Sequence, residues 1–88
     1  MSLKKQILTQ LKDIQDLIRD NIGTLNNLIE QSGNLSALIE ENTSIDTDIK
    51  DKLIKIREQI DVDIKKSQNF ISSLTDRYNT LIETLFTF

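Results

Sequence analysis

Two pairs of carboxylates, Asp46-Thr-Asp48 and Asp61-Val-Asp63, and one serine beside two lysines, Ser67 after Lys65-Lys66, are the nearest approach to a chemical constellation in this chain. Paired carboxylates bind calcium or exchange protons with a substrate only when their oxygens converge. On a helix, side chains two residues apart point about 200° from one another, so neither pair converges. An EF-hand loop would also need a Gly turn and a distal Glu, and neither follows at the required spacing. The expected roles are first-turn helix acids for Asp46 and Asp48, and solvated surface for Asp61 and Asp63. Ser67 could in principle use a lysine as its base. However, the chain contains no His, and no Gly-rich elbow or phosphate loop accompanies Ser67. Asn34-Leu-Ser36 and Asn42-Thr-Ser44 match the glycosylation pattern, which matters only on a secreted chain, and Met1–Leu8 does not have the form of a signal peptide. No catalytic, cofactor-binding or metal-ligating residue is expected, and the chain is read as not an enzyme.

Composition restricts the partners in the same direction. The 88 residues contain no Pro, Cys, Trp or His and carry a net charge of −3. Residues 1–44 have four basic and six acidic groups, and residues 45–88 have seven and eight. Without a basic face to neutralise phosphates, no nucleic acid is expected as a partner. No run of apolar residues is long enough for a membrane span. The expected setting is a soluble, intracellular (cytoplasmic) protein, with residues 1–88 forming one helical or coiled-coil domain.

What the chain has in abundance is Leu and Ile, 26 residues of the 88. In the first half Ile7, Leu11, Ile14, Ile18, Ile22, Leu25 and Ile29 follow one another by three or four, the spacing of a single helical stripe. The second half repeats it with Ile45, Ile49, Leu53, Ile56, Ile60, Ile64, Ile71 and Leu74, continued by Tyr78, Ile82 and Leu85 and broken at Ser67. These residues are the expected self-association stripe. Leu8, Leu17, Leu28, Leu38, Ile54, Phe70, Leu81 and Phe86 flank it. Roughly three apolar positions in seven suit a helix in a bundle rather than a two-stranded seam.

Two interruptions break the pattern, at Ser32-Gly33-Asn34 and at Asn42-Thr43-Ser44. Thr43 followed by Asp46 approximates a capping box, so the second interruption both ends one helix and starts another. The expected fold is all-α: helix 3–41, kinked or briefly broken near Gly33, a turn at 42–44, and helix 44–86. These make a long antiparallel hairpin that assembles into a homo-oligomeric bundle, with a dimer favoured. Folding at Thr43 pairs Leu25 with Ile60, Leu11 with Leu74 and Ile7 with Tyr78. In the second half an eleven-residue spacing (Leu38, Ile49, Ile60, Ile71, Ile82) implies nearly straight helices.

The alternative is one continuous helix, more than about 100 Å long, in a parallel coiled coil. A heptad frame supports it, with Leu11, Ile18, Leu25, Ile39, Leu53, Ile60, Leu74 and Leu81 on one core position. Ile14, Asn21, Leu28, Leu35, Asn42, Ile49, Ile56 and Phe70 fall on the other. Ile39-Glu40-Glu41-Asn42-Thr43 resembles, over those five residues, the Ile-x-x-Asn-Thr heptads of trimeric adhesin stalks and phage fibres, which implies a fibre-like structural role. Ala37–Tyr78, especially Ile49–Ile60, is faintly similar in its helical charge pattern to flagellar export chaperones, which implies a client helix as partner. No residue role carries over from either resemblance.

All four aromatics lie in the last nineteen residues. Phe70, Tyr78, Leu81, Leu85, Phe86 and Phe88 are the expected contact for another protein, because aromatics concentrate interface energy. The expected function is a non-enzymatic oligomerisation and interaction module: a scaffold, assembly component or adaptor. The alternative is a small helical chaperone.

Overall fold

Ser2 is extended, and its hydroxyl accepts the amide of Lys5 at 3.2 Å, the side-chain cap that starts helix α1, Leu3–Glu41. At the other end Asn42 donates its side-chain amide to the Leu38 carbonyl at 2.8 Å, satisfying one of the carbonyls a helix end leaves orphaned. Its own carbonyl accepts the Ile45 amide, turning the chain. Helix α2, Thr47–Phe86, starts at Asp46, whose carboxylate accepts the Asp48 amide at 3.3 Å. These features come from a computed structural model that describes residues 2–42 and 44–87. The second helix therefore begins three residues later than the spacing predicts. Asp46 is the cap because a carboxylate there serves both the orphan amides and the helix dipole. The expected capping role of Thr43 lies outside the described residues.

No break occurs at Gly33. Helix α1 runs unbroken through Gly23 and Gly33, and a Cβ built at either would meet nothing within 4 Å. Each glycine costs an exposed helix interior about 1 kcal/mol relative to Ala. The double replacement Gly23→Ala with Gly33→Ala is expected to stabilise the fold by about 1–2 kcal/mol. A thermal melt at fixed concentration should then shift upward by roughly 5–15 °C.

The two helices lie antiparallel along their whole length in a rod of 65 × 16 × 14 Å. The chain is a hairpin, and the continuous 88-residue helix is not its arrangement. Three hydrogen bonds tie the helices together: Gln15 donates to the Tyr78 hydroxyl at 2.9 Å, the Ser32 hydroxyl to Asp61 at 2.8 Å, and Arg57 to the Ser36 hydroxyl at 3.3 Å. In each the two residue numbers add to 93. Folding at Thr43 gave sums near 85, so Tyr78 bonds Gln15, two turns further along than Ile7. Two causes displace the register. The turn extends to Asp46, and side chains on both helices slant toward their own N-termini, so two contacting tips belong to a residue nearer the turn on α1 and one farther from it on α2.

Most of the burial follows an alternation of three and four. In α1 the alternating positions are Ile7, Leu11, Ile14, Ile18, Asn21, Leu25, Leu28, Ser32, Leu35 and Ile39, with Asp16 and Ser36 half-buried beside them. In α2 they are Leu53, Arg57, Ile60, Ile64, Ser67, Ile71, Leu74, Tyr78, Leu81 and Leu85, with Ile54, Asp63 and Ile82 half-buried beside them. This is a heptad seam, not the eleven-residue spacing expected for α2. A stripe drifting at 3.67 residues per turn would rotate away from a partner helix, whereas a period of 3.5 keeps facing it over many turns. Asn21 and Leu28 therefore hold the seam in place of Ile22 and Ile29, and Arg57 in place of Ile56. Asn21 is tolerated because its side chain donates to its own backbone, at the Leu17 carbonyl, 2.8 Å away.

Candidate interaction surface

Among the described residues only Ile7, Leu11, Ile39 and Leu74 are buried, at 2–8 % exposure, and the polar seam members concentrate between them. Ser67 Oγ is, among the described residues, the one buried side-chain polar atom without a hydrogen-bond partner. Lys65 and Lys66 are exposed while Ser67 turns inward, so the expected Ser–Lys neighbourhood does not bring base and hydroxyl together. Ser67→Ala removes an unsatisfied hydroxyl and improves helix propensity, and is expected to stabilise the hairpin by about 1 kcal/mol. A urea midpoint that moved downward would contradict that placement.

The carboxylates of each pair stand apart, and Asp63 is half-buried rather than part of a solvated surface. Asp46 caps α2 and Asp48 is exposed in its first turn. Asp61 accepts from Ser32, while Asp63 accepts from Gln59 at 3.3 Å. Among the described residues no three His, Cys, Asp or Glu side chains converge on a metal-sized site. The one ion pair among them, Arg19–Asp16 at 3.1 Å, is exposed and contributes little. The depressions between the helices are open grooves, one lined by Gln15, Ile18, Arg19, Ile22 and Tyr78, another by Gln10, Ile14, Arg77 and Leu81 among others.

Those two grooves identify the two flanks of the seam. Residues seven apart share a helix face, so the Gln15 side also carries Leu8, Ile22 and Ile29 of α1. Asp61 bonds across to α1 on that side, and Ile54 and Ile82 share its face. All three cross-helix hydrogen bonds close this bonded flank. The opposite flank, marked by Gln10 and Arg77, carries Leu3, Leu17 and Leu38 from α1 and Ile49, Ile56 and Phe70 from α2. No cross-helix hydrogen bond closes it among the described residues, and these six side chains are 46–57 % exposed. Asp63 and Arg77 are its charged members at the flanking heptad positions and Asp76 lines the same groove, while the bonded flank carries Asp61 at those positions. A solitary two-helix coil normally places Lys and Glu at flanking positions, and both flanks here are poorer in charge than that.

The expected self-association stripe is thus divided. Ile7, Leu11, Ile14, Ile18, Leu25, Leu53, Ile60, Ile64, Ile71 and Leu74 lie in the seam within one chain, and Ile45 is half-buried at the turn. Ile22 and Ile29 lie on the bonded flank, Ile49 and Ile56 on the open one. Of the expected partner contacts, Tyr78, Leu81 and Leu85 are seam residues, and Phe70 lies on the open flank. Phe86 is 81 % exposed near the open end, and Phe88 lies outside the described residues. Sequence reasoning missed Ser32 and Arg57 as cross-helix bonding groups. The only signal for them was the heptad step itself, which the turn resets between the helices.

No helix is long and apolar enough to cross a membrane. Compared with known protein families, curated proteins and solved structures, the chain gives no match.

Proposed function

We propose that this chain is a non-enzymatic helical oligomerisation and protein–protein interaction module: a scaffold, assembly component or adaptor. The observation that carries the reading is the open flank. Six large apolar side chains, each about half exposed, lie along one side of the rod among few charged residues. An apolar strip of this length marks an interaction surface, because water solvates it poorly and monomeric proteins seldom retain one. The dispersal of the polar groups supports a binding role over a chemical one, since catalysis needs convergent groups in an enclosed pocket.

Sedimentation equilibrium from micromolar to millimolar protein tests the reading. A concentration-dependent rise to a fixed multiple of 10.1 kDa is expected. A stable monomer over the whole range would refute self-association. A second reading, a small helical chaperone, draws on the thinness of the core: four buried side chains among the described residues, none of them wholly shielded, leave the hairpin alone only marginally stable. In that case the same flank accepts an amphipathic client helix. The monomer would bind ANS, and an added client helix would raise its melting temperature sharply.

A further inference from the structure

We propose that the hairpin is a two-position ratchet, in which α2 slides one heptad toward the turn end while the turn moves along the chain. The observed register sets the seam residues in ten layers whose numbers add to 92, from Ile7–Leu85 to Ile39–Leu53. The cross-helix hydrogen bonds fix these layers, because each joins a seam residue to the flank neighbour of its partner. Tyr78 bonds Gln15 beside Ile14, Ser32 bonds Asp61 beside Ile60, and Arg57 bonds Ser36 beside Leu35. Four layers are mismatched: Asn21 stands level with Ile71, Ser67 with Leu25, Ser32 with Ile60 and Arg57 with Leu35. All four lie between the Ile18–Leu74 and Ile39–Leu53 layers, and none contains a buried side chain. The orphaned Ser67 Oγ follows from this, since a Leu side chain offers it no hydrogen bond.

A slide of seven residues, about 10 Å, keeps the same faces inward, because the heptad is the period of the seam. In one direction it repairs the mismatches. Ser32 then meets Ser67 and Asn21 meets Tyr78, pairs that can share hydrogen bonds, and Arg57 leaves Leu35 for Asn42. The six other layers among the described residues, from Ile14–Leu85 to Ile39–Ile60, are apolar on both sides. The opposite slide repairs nothing: Asn21 meets Ile64, Ser67 meets Ile18, Arg57 meets Leu28 and Ser32 meets Leu53. Polar residues within a seam select register by such differences.

The turn can follow the slide. Asn42-Thr-Ser-Ile45 is succeeded directly by Asp46-Thr-Asp-Ile49, a second quartet with similar turn-forming residues. Moving the bend by about half a heptad lengthens α1 into the first quartet and sets the bend on the second. Neither quartet contains Gly or Pro. Asn42 and Asp46 leave the helical region at ψ 72° and 140° with negative φ, so rotation chiefly about ψ returns them to it. The slide also carries Ile7 and Leu11, each 6 % exposed, out of their layers with Leu85 and Leu81. That loss makes the second register the minor state.

The test is disulfide closure in the full chain, with Ile71→Cys combined in turn with Asn21→Cys, Leu28→Cys or Ile14→Cys. These pairs report the observed register, the proposed slide and the opposite slide. Rates are compared in dilute protein where circular dichroism shows each reduced chain fully helical, and bonds within one chain are counted by mass. Cysteines bond only when their Cα atoms come within about 7 Å, so the Ile14 pair measures closure through general opening. The Leu28 pair is expected to close about 10- to 1,000-fold more slowly than the Asn21 pair, as for a minor state populated at roughly 0.1–10 %. It should still outrun the Ile14 pair. Equal rates for the Leu28 and Ile14 pairs would overturn the second register. Adding Ser67→Leu, which suits Leu25 but not Ser32, should slow the Leu28 pair alone, and an unchanged rate would overturn polar pairing as the driving cause.

Discussion

Leu74→Asp is expected to abolish the fold. Leu74 is the most shielded side chain of the hairpin, 2 % exposed, and it lies in the seam one turn before Tyr78, whose hydroxyl is tied to Gln15. Replacing it removes about 1.5–3 kcal/mol of apolar burial and leaves a carboxylate with no cation across the seam. The combined cost, on the order of 4–5 kcal/mol or more, is comparable to the whole stability of a domain this size. Circular dichroism at 25 °C should show loss of most helical signal, because neither helix is stable in water without its partner face. Leu74→Ala is the graded control: a loss of about 2–5 kcal/mol with the helices still formed in the cold. The same aspartate at Ile60, which is only half-buried, is expected to cost less, since water reaches part of the carboxylate. Equal melting temperatures for Leu74→Asp and wild type would show that the seam is placed wrongly.

Asn21→Leu combined with Arg57→Leu should have an effect of opposite sign and about half the size. Both residues occupy seam positions, Asn21 bonding its own helix and Arg57 reaching Ser36. Filling a seam position with Leu gains about 1–2 kcal/mol, offset in part by the lost hydrogen bonds. Polar groups in a coiled-coil seam typically lower stability while restricting the alternatives open to the chain. The pair is expected to add about 2–3 kcal/mol, raising the melting temperature by roughly 10–20 °C. A melting temperature at or below the wild-type value would mean that these side chains stabilise the hairpin through more than the bonds described.

The seam also shows why half of the apolar stripe was legible and half was not. Ile7 through Ile18 satisfy a 3.5-residue and a 3.6-residue period equally well, because the two diverge by only about 20° per heptad. Over the next two turns the periods separate, and Ile22 and Ile29 then look like core in the sequence yet lie outside the seam. In α2 a frame carried over from α1 put Ile49, Ile56 and Phe70 inside. The turn at Asn42–Asp46 resets that frame by four residues, which keeps Leu53, Ile60, Leu74 and Leu81 in the seam but exchanges Ile56 for Arg57. Nothing local announces such a reset. The grouping of six exposed apolar side chains onto one flank was equally hidden, since it needs the register of the two helices and not only the pattern along each.

Helical content and the single interruption that matters follow from the residue string alone. Leu and Ile at three- and four-residue steps, no Pro, and Asn42 with Asp46 at the bend are properties of neighbours along the chain. Which apolar residues face inward, which hydroxyl is stranded at Ser67, and which side of the rod stays open are properties of one helix seen from the other. Those were decided only by the folded hairpin, because a face becomes a seam or a surface according to what packs against it.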